Sequence, residues 1–461
     1  MIPHVGATQR PSRRWICRTA ALAATLLLAL SSETAMTTEV QHITFDEAVQ
    51  IALQQNNELK RAVNAVSLDR TAVAEARMSF LPDLRLNISG AESYGRFFSE
   101  DEGRLLTETT ESFSARLSSS VVLFDGWANV SSLREARLQE SASHLDTERT
   151  RQTVVFQVVS GYLALIESRE QVRIREEDHT AQTEQEQLVR ALVDGGKRPI
   201  SDLYQQQANV AAARLSLVEA RRDFELRRVD LVQALQLDPT GEYVFEVPAL
   251  SEIPEDQPEP LLKNLLERAY HKRPDLKALE AQLEANLNGE RVAAAGRWPN
   301  VTLSAGYGSN YSSTGQGNFM DQLDRRRTGS VGIGISLPLF DRQMTRHQIQ
   351  RAGVATENAR LALADLHQEV ALQVRRAVLD WNAAREGVRA AEAQVQAARQ
   401  ALDATRERYE AGAATLYEVT LSQTDLVSAT SMKVSASYYM LWQKRLLDYY
   451  VGDLDPSGGL L

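Results

Sequence analysis

The reading of this chain turns on SVVLFDGW at 120–127 and SLPLFDRQ at 336–343. Each runs from an apolar segment through Leu-Phe-Asp into a helical pattern, and Phe124 and Phe340 stand 216 residues apart. Other landmarks recur at that offset to within one residue. Phe80-Leu81-Pro82 answers Arg297-Trp298-Pro299. Gly196, in Asp194-Gly195-Gly196-Lys197, answers Gly412, in Glu410-Ala411-Gly412-Ala413. Asp238-Pro239-Thr240-Gly241 answers Asp455-Pro456-Ser457-Gly458. Landmarks that keep both order and spacing mark a duplicated structural unit.

Residues 1–36 read as a secretory signal peptide. Arg10, Arg13, Arg14 and Arg18 form a basic start, and Ala20–Leu30 is an uncharged apolar run, too short to cross a bilayer as a helix, which takes about 20 residues. Cys17 is the only cysteine and precedes that run, so no lipid anchor is expected, and the mature chain has no thiol for disulfide, metal or nucleophile. Losing Arg10, Arg13, Arg14, Arg18 and Glu33 takes the formal charge from −10 to −13, which disfavours nucleic acid as a partner.

The first repeat covers 37–237 and the second 261–450, with a Pro- and acid-rich linker at 238–260 and a glycine-rich tail at 451–461. Each repeat opens with a helix, Phe45–Met78 or Leu261–Ala295, stopped by Pro82 or Pro299. Two alternating stretches follow, within 83–124 and 300–340. Phe113, Ala115, Leu117, Val121 and Leu123 are separated by polar residues including Ser114, Arg116, Ser118 and Ser120. Val331, Ile333, Ile335, Leu337 and Leu339 alternate with small residues. Period two over about ten residues fits a strand with one apolar face, the length that crosses an outer membrane. Soluble half-buried hairpins fit the same pattern. Long polar loops at 97–111 and 309–327 favour the barrel reading, yet four strands per chain cannot close a barrel, so several chains would share one.

After Leu-Phe-Asp comes a long helical hairpin, 126–237 or 342–450. Residues 342–410 contain no proline, and at 1.5 Å per residue they would reach roughly 100 Å. Val374, Trp381, Val388, Val395, Leu402 and Tyr409 recur every seven residues, with Ala377, Ala384, Ala391 and Ala398 at the second seam position. Large residues facing alanines suit close coiled-coil packing. Val158, Leu165 and Val172 hold the equivalent seam in the first repeat.

Taken together and in order, the duplicated helix, the Pro-then-strand entries, the two Leu-Phe-Asp exits and the glycine turns resemble the bacterial outer-membrane efflux protein family, the TolC-like ducts. The resemblance spans nearly all of the mature chain. It implies a mainly α fold with a transmembrane β-barrel part, in which duplicated helical hairpins form a coiled-coil α-barrel. Four strands per chain would contribute to a shared, twelve-stranded barrel in a homotrimer. It further implies a passive exit duct in the outer membrane with a long periplasmic portion, partnered by a periplasmic adaptor (membrane fusion) protein and an inner-membrane pump of RND, ABC or MFS type. Outer-membrane lipid would surround the barrel. The other reading is a secreted or periplasmic coiled-coil tether, which has no use for four such strands.

By this resemblance, Gly195-Gly196-Lys197 and Ala411-Gly412-Ala413 match the tips that the adaptor contacts. Plain turn chemistry accounts for the same glycines. Asp202 and Glu418, six residues past Gly196 and Gly412, match acids that line the periplasmic aperture, and Tyr409 matches a position in its lock. An acid in a first helical turn also suits the macrodipole. Two departures bear on the lock: Ala414 stands where the family has a basic residue, and Leu421 where a second acid is expected. A gate closed by Tyr409, Tyr417 or Leu421 is the alternative, with Lys197 and Arg198 as nearby cations.

Enzymatic chemistry has no foothold in the sequence. The seven histidines are scattered, no phosphate-binding loop follows a strand, and no nucleophile elbow occurs. The expectation is a non-enzyme with no catalytic residue, metal or cofactor.

Overall fold

The computed structural model describes residues 41–99, 103–246 and 261–454. The expected signal peptide at 1–36, the linker residues 247–260 and the tail residues 455–461, Asp455-Pro456-Ser457-Gly458 among them, lie outside the described residues. The chain divides into two units. In the smaller one, β1 (Gln41–Ile43) and β4 (Tyr243–Phe245) pair in parallel, Gln41 opposite Tyr243 and Ile43 opposite Phe245. All other elements belong to the larger unit.

That unit opens with α1 (Phe45–Gln55) and α2 (Asn57–Met78), where the periodicity predicts one helix. Asn56 makes the break. Its side chain accepts from the N–H groups of Glu58 and Leu59 at 2.8 and 3.1 Å, capping the second helix. In the second repeat the corresponding helix is also two, α5 (Leu262–Lys272) and α6 (Pro274–Ala295). Here Pro274 occupies the first position of α6, where its missing N–H costs nothing, while Arg273 before it turns extended.

Strands β2 (Arg85–Ser99), β3 (Arg104–Phe124), β5 (Asn300–Ser312) and β6 (Thr328–Ser336) form one antiparallel sheet in the order β2-β3-β5-β6. The first repeat thus pairs with the second through β3 and β5. Register puts Leu86, Leu117 and Tyr307 in one row, and Val121, Leu303 and Ile333 in another. One face is therefore apolar across all four strands and exposed: Leu86, Ile88, Ile333 and Ile335 each show more than half of their surface. The opposite face carries Ser114, Arg116, Ser118, Thr302, Ser304 and glycines. Polar composition predicts a long loop over 97–111. Instead the ladder continues to Ser99 and Arg104, since a run of Thr, Phe and Leu has the propensity to extend a hairpin. The 309–327 loop contains a short helix, α7 (Phe319–Arg325). β6 stops at Ser336, short of the alternating Leu337 and Leu339, because Pro338 has no N–H to give the ladder.

The two Leu-Phe-Asp phrases are strand-to-helix corners of one design. Asp125 accepts the Asn129 N–H at 2.9 Å, and Asp341 accepts the Thr345 N–H at 2.8 Å. Between cap and helix the chain turns through two left-handed residues, Gly126-Trp127 in one repeat and Arg342-Gln343 in the other. A Cβ at Gly126 would lie 2.8 Å from the Ala295 carbonyl oxygen and the Trp298 Cβ, so glycine also allows the corner to pass the end of α6.

From these corners run α3 (Ala128–Asp194) and α8 (Met344–Glu410), each 67 residues and roughly 100 Å long by helical rise. Each returns through a tight turn, into α4 (Ile200–Ala234) and α9 (Leu416–Val451). α3 packs on α4, α8 on α9, and α3 joins the hairpins by packing on α9. The heptad seam is the buried face. Val374, Trp381, Val388, Leu402 and Tyr409 are buried, as are Val158 and Leu165. Each such side chain contributes about 1.5–3 kcal/mol on burial. No helix among the described residues is long and apolar enough to cross a membrane.

Candidate functional site at the hairpin tips

The two turns have one backbone. After α3 the N–H of Gly196 bonds the Val193 carbonyl at 2.9 Å and that of Lys197 the Leu192 carbonyl at 2.8 Å. After α8, Gly412 bonds Tyr409 at 3.0 Å and Ala413 bonds Arg408 at 2.8 Å. This pair of bonds is the Schellman motif, which needs a left-handed residue, and Gly196 and Gly412 have φ of 71° and 79°. Gly195-Gly196-Lys197 and Ala411-Gly412-Ala413 are all exposed. A Cβ at either Gly196 or Gly412 would meet nothing within 4 Å.

Beneath the turns the hairpins share one apolar cluster: Val189 and Leu203 from the first, Leu402, Tyr409, Ala414, Leu416 and Val419 from the second. Tyr409 is 1% exposed. Its ring lies under the Arg198 guanidinium at 4.1 Å, and the same guanidinium donates to the Tyr409 carbonyl at 2.7 Å and to the Ala414 carbonyl at 3.4 Å. Arg198 thus fastens the first tip to the second. Burial pushes the Tyr409 phenol up, opposed by Arg198 and reinforced by nearby Asp202. Its hydroxyl finds no hydrogen-bond partner among the described residues.

Of the other sequence-derived residues, Asp202 is half-buried in the first turn of α4. Glu418 closes a capping box with Thr415, and Arg408 stands 3.3 Å away. The Thr415 N–H and hydroxyl, then Arg408, hold the Glu418 carboxyl below the usual glutamate range. Tyr417 and Leu421, four residues apart and so on one helix face, are 74% and 49% exposed. Tyr409 and Asp202 are therefore brought together, whereas Tyr417 and Leu421 point away from the shared cluster.

The sequence singled out Arg198 as a nearby cation without a direction. Its acids at four residues' distance, Asp194 and Asp202, lie beyond the glycine turn and beyond Pro199, so helical spacing names no partner. The one usable signal was the alanine at 414, where the family has a basic residue.

The family model described as Outer membrane efflux protein matches residues 48–236 and 265–452, one stretch in each repeat. Outer membrane protein TolC of Escherichia coli (strain K12) is 25% identical over 425 residues, covering 89% of this chain and 82% of that protein. Alkaline protease secretion protein AprF of Pseudomonas aeruginosa is 25% identical over 422 residues, covering 88% of this chain and 84% of AprF. Among solved structures, the outer membrane protein VceC from Vibrio cholerae superposes with a TM-score of 0.77 at 19% identity, covering 88% of this chain and 96% of VceC.

Proposed function

We propose, from the premise that this chain belongs to the outer membrane efflux protein family, how its parts serve as an exit duct. The protein is an outer-membrane channel with a periplasmic helical portion, of the kind that serves efflux and type I secretion systems. Its relatives are channel proteins rather than enzymes.

The observation that carries the proposal is the sheet. It has one apolar exposed face, one polar face and two edges, β2 and β6, that pair with no further strand among the described residues. Open edges are not stable in lipid, so β6 of one copy must pair with β2 of another. An Arg at the lipid midplane costs about 2–4 kcal/mol, so the Arg116 face is the lumen and the leucine and isoleucine face meets lipid. Two copies would make eight strands, a barrel whose interior is filled by its own side chains. Three copies make twelve and leave a passage, the homotrimer that the family resemblance implies.

The duct transduces no energy. A periplasmic adaptor, bound to an inner-membrane pump, engages the exposed tips at Gly195–Lys197 and Ala411–Ala413. In the resting state Arg198 holds the tips together and the aperture is lined by Asp202, Glu418, Tyr417 and Leu421, with Tyr409 as the buried brace beneath them. Carboxylates repeated around a narrow pore would concentrate cations there. The pump and adaptor choose the cargo. Purified full-length protein in planar bilayers tests the reading. Discrete small conductance steps that grow on Arg198→Ala are expected; absence of any conductance would contradict the duct, and an unchanged conductance in the variant would contradict the Arg198 closure.

A further inference from the structure

Between Arg85 and the outer rows of Glu108 and Arg104, Arg116 is the one charged position on the polar face of the sheet among the described residues. The hydroxyls of that face are spent locally: Ser89 and Ser114 bond each other at 2.8 Å, Ser112 bonds the Ala91 carbonyl at 3.2 Å, and Ser304 bonds the Gly332 carbonyl at 3.3 Å. At the end nearest the helices, Arg85 is paired with Asp83 at 2.8 Å. Midway along β3 stands Arg116, exposed and with no acidic partner among the described residues. It shares a cross-strand row with Asn87, Gly308 and Thr328.

The neighbouring strand is cut back around it. A Cβ at Gly308 would come within 3.0 Å of the Arg116 Cα and 3.2 Å of its Cβ. A Cβ at Gly306 would lie 3.8 Å from its Nη1. Arg116 therefore lies along a glycine shelf, where no side chain of β5 screens the guanidinium. A planar guanidinium left unpaired and uncovered is suited to a fork of two bonds with a carboxylate, sulfonate or phosphate.

We propose that Arg116, repeated by symmetry around the lumen, forms a cationic ring that binds anionic groups on solutes leaving the duct. This rests on the shared-barrel reading, which puts all copies of Arg116 at one level. The duct then carries opposite signs at its two ends: carboxylates of Asp202 and Glu418 at the tips, and guanidinium inside the barrel.

The test is block of single channels by inorganic triphosphate, using full-length protein inserted in one orientation in a planar bilayer. Wild type is expected to be blocked from the barrel side at lower concentration than from the tip side. Arg116→Gln should weaken the barrel-side block by at least about tenfold, from the loss of charge-assisted hydrogen bonds, and Arg116→Lys should retain part of it. Conducting Arg116→Gln channels blocked as well as wild type would overturn the ring while leaving the barrel standing. Wild-type channels without sided block would overturn it without any variant. Wild-type protein that forms no channels and no trimers would remove the shared barrel, and the ring with it.

Discussion

The two hairpin tips share a backbone and differ in nearly every side chain. Both close with the same two Schellman bonds around a left-handed glycine. The second tip begins its return helix with the Thr415–Glu418 capping box. The first begins with Pro199, which makes no side-chain cap, and contributes instead the cation that reaches over to Tyr409 and Ala414. Duplication preserved what the turn geometry requires and freed the rest. The result is one tip that grips and one that is gripped.

The largest expected effect comes from cutting that grip. Arg198→Ala removes charge-assisted bonds worth about 1.5–3 kcal/mol, which would shift the closed-to-open balance by roughly ten- to a hundredfold. Bilayer conductance of the full-length protein reads this shift directly. The reciprocal change, Tyr409→Leu, should keep the apolar cluster but lose the stacked ring, and open the channel less.

Next are the glycines, where the tips should behave alike. Ala at Gly196 or Gly412 clashes with nothing but must adopt the left-handed conformation, at about 1–2 kcal/mol each. Denaturant unfolding of each variant should give equal losses; a clear inequality would mean that one tip is held by contacts beyond its turn. Trp at either position should reduce export in cells while leaving trimers in the membrane. Loss of the trimers would confine those glycines to a structural role.

Acid should separate the tips again. The Glu418 carboxyl is held below its ordinary value of 4.5, so its contribution is complete above that pH and fades only as pH falls through the lower folded value. Hydrogen exchange at the start of α9 should therefore quicken in strong acid, and Glu418→Gln should show that quickening already at neutral pH. The start of α4, which has no such box and only Asp202 in its first turn, should quicken less in acid and not at all on Glu418→Gln.

The smallest effects belong to the Leu-Phe-Asp corners. Asp125→Ala and Asp341→Ala each remove a helix cap worth about 1 kcal/mol. Asp341→Ala should cost more, because Asp341 also accepts the Thr345 hydroxyl and its corner turns through Arg342 and Gln343 without a glycine. Thermal unfolding of the two variants in detergent ranks them.

These differences also mark what could be read from the chain alone. The Leu-Phe-Asp corners, the strand faces and the heptad seam were legible because each depends on residues close in sequence, with period two or seven. The helix break at Asn56 was hidden because a single capping residue interrupts no periodicity. The continuation of the ladder through 97–111 depended on pairing between strands, which polar composition obscures. The Arg198 clamp joins residues 211 positions apart, and no local pattern announces such a contact. Arg116 was visible only as one polar residue in an alternating series. Its isolation on the polar face needed the register of four strands.

In the shared-barrel reading, β6 of one copy pairs with β2 of the next to close a barrel in the outer membrane. Paired cysteines introduced along the facing edges of β2 and β6, in protein taken from outer membranes in mild detergent, address it directly. A barrel shared by three copies should give a native mass of three chains and, at one register of the scan, an oxidised product that runs as a covalent trimer under denaturing conditions. A monomeric native mass, with no cross-link at any register, would contradict it.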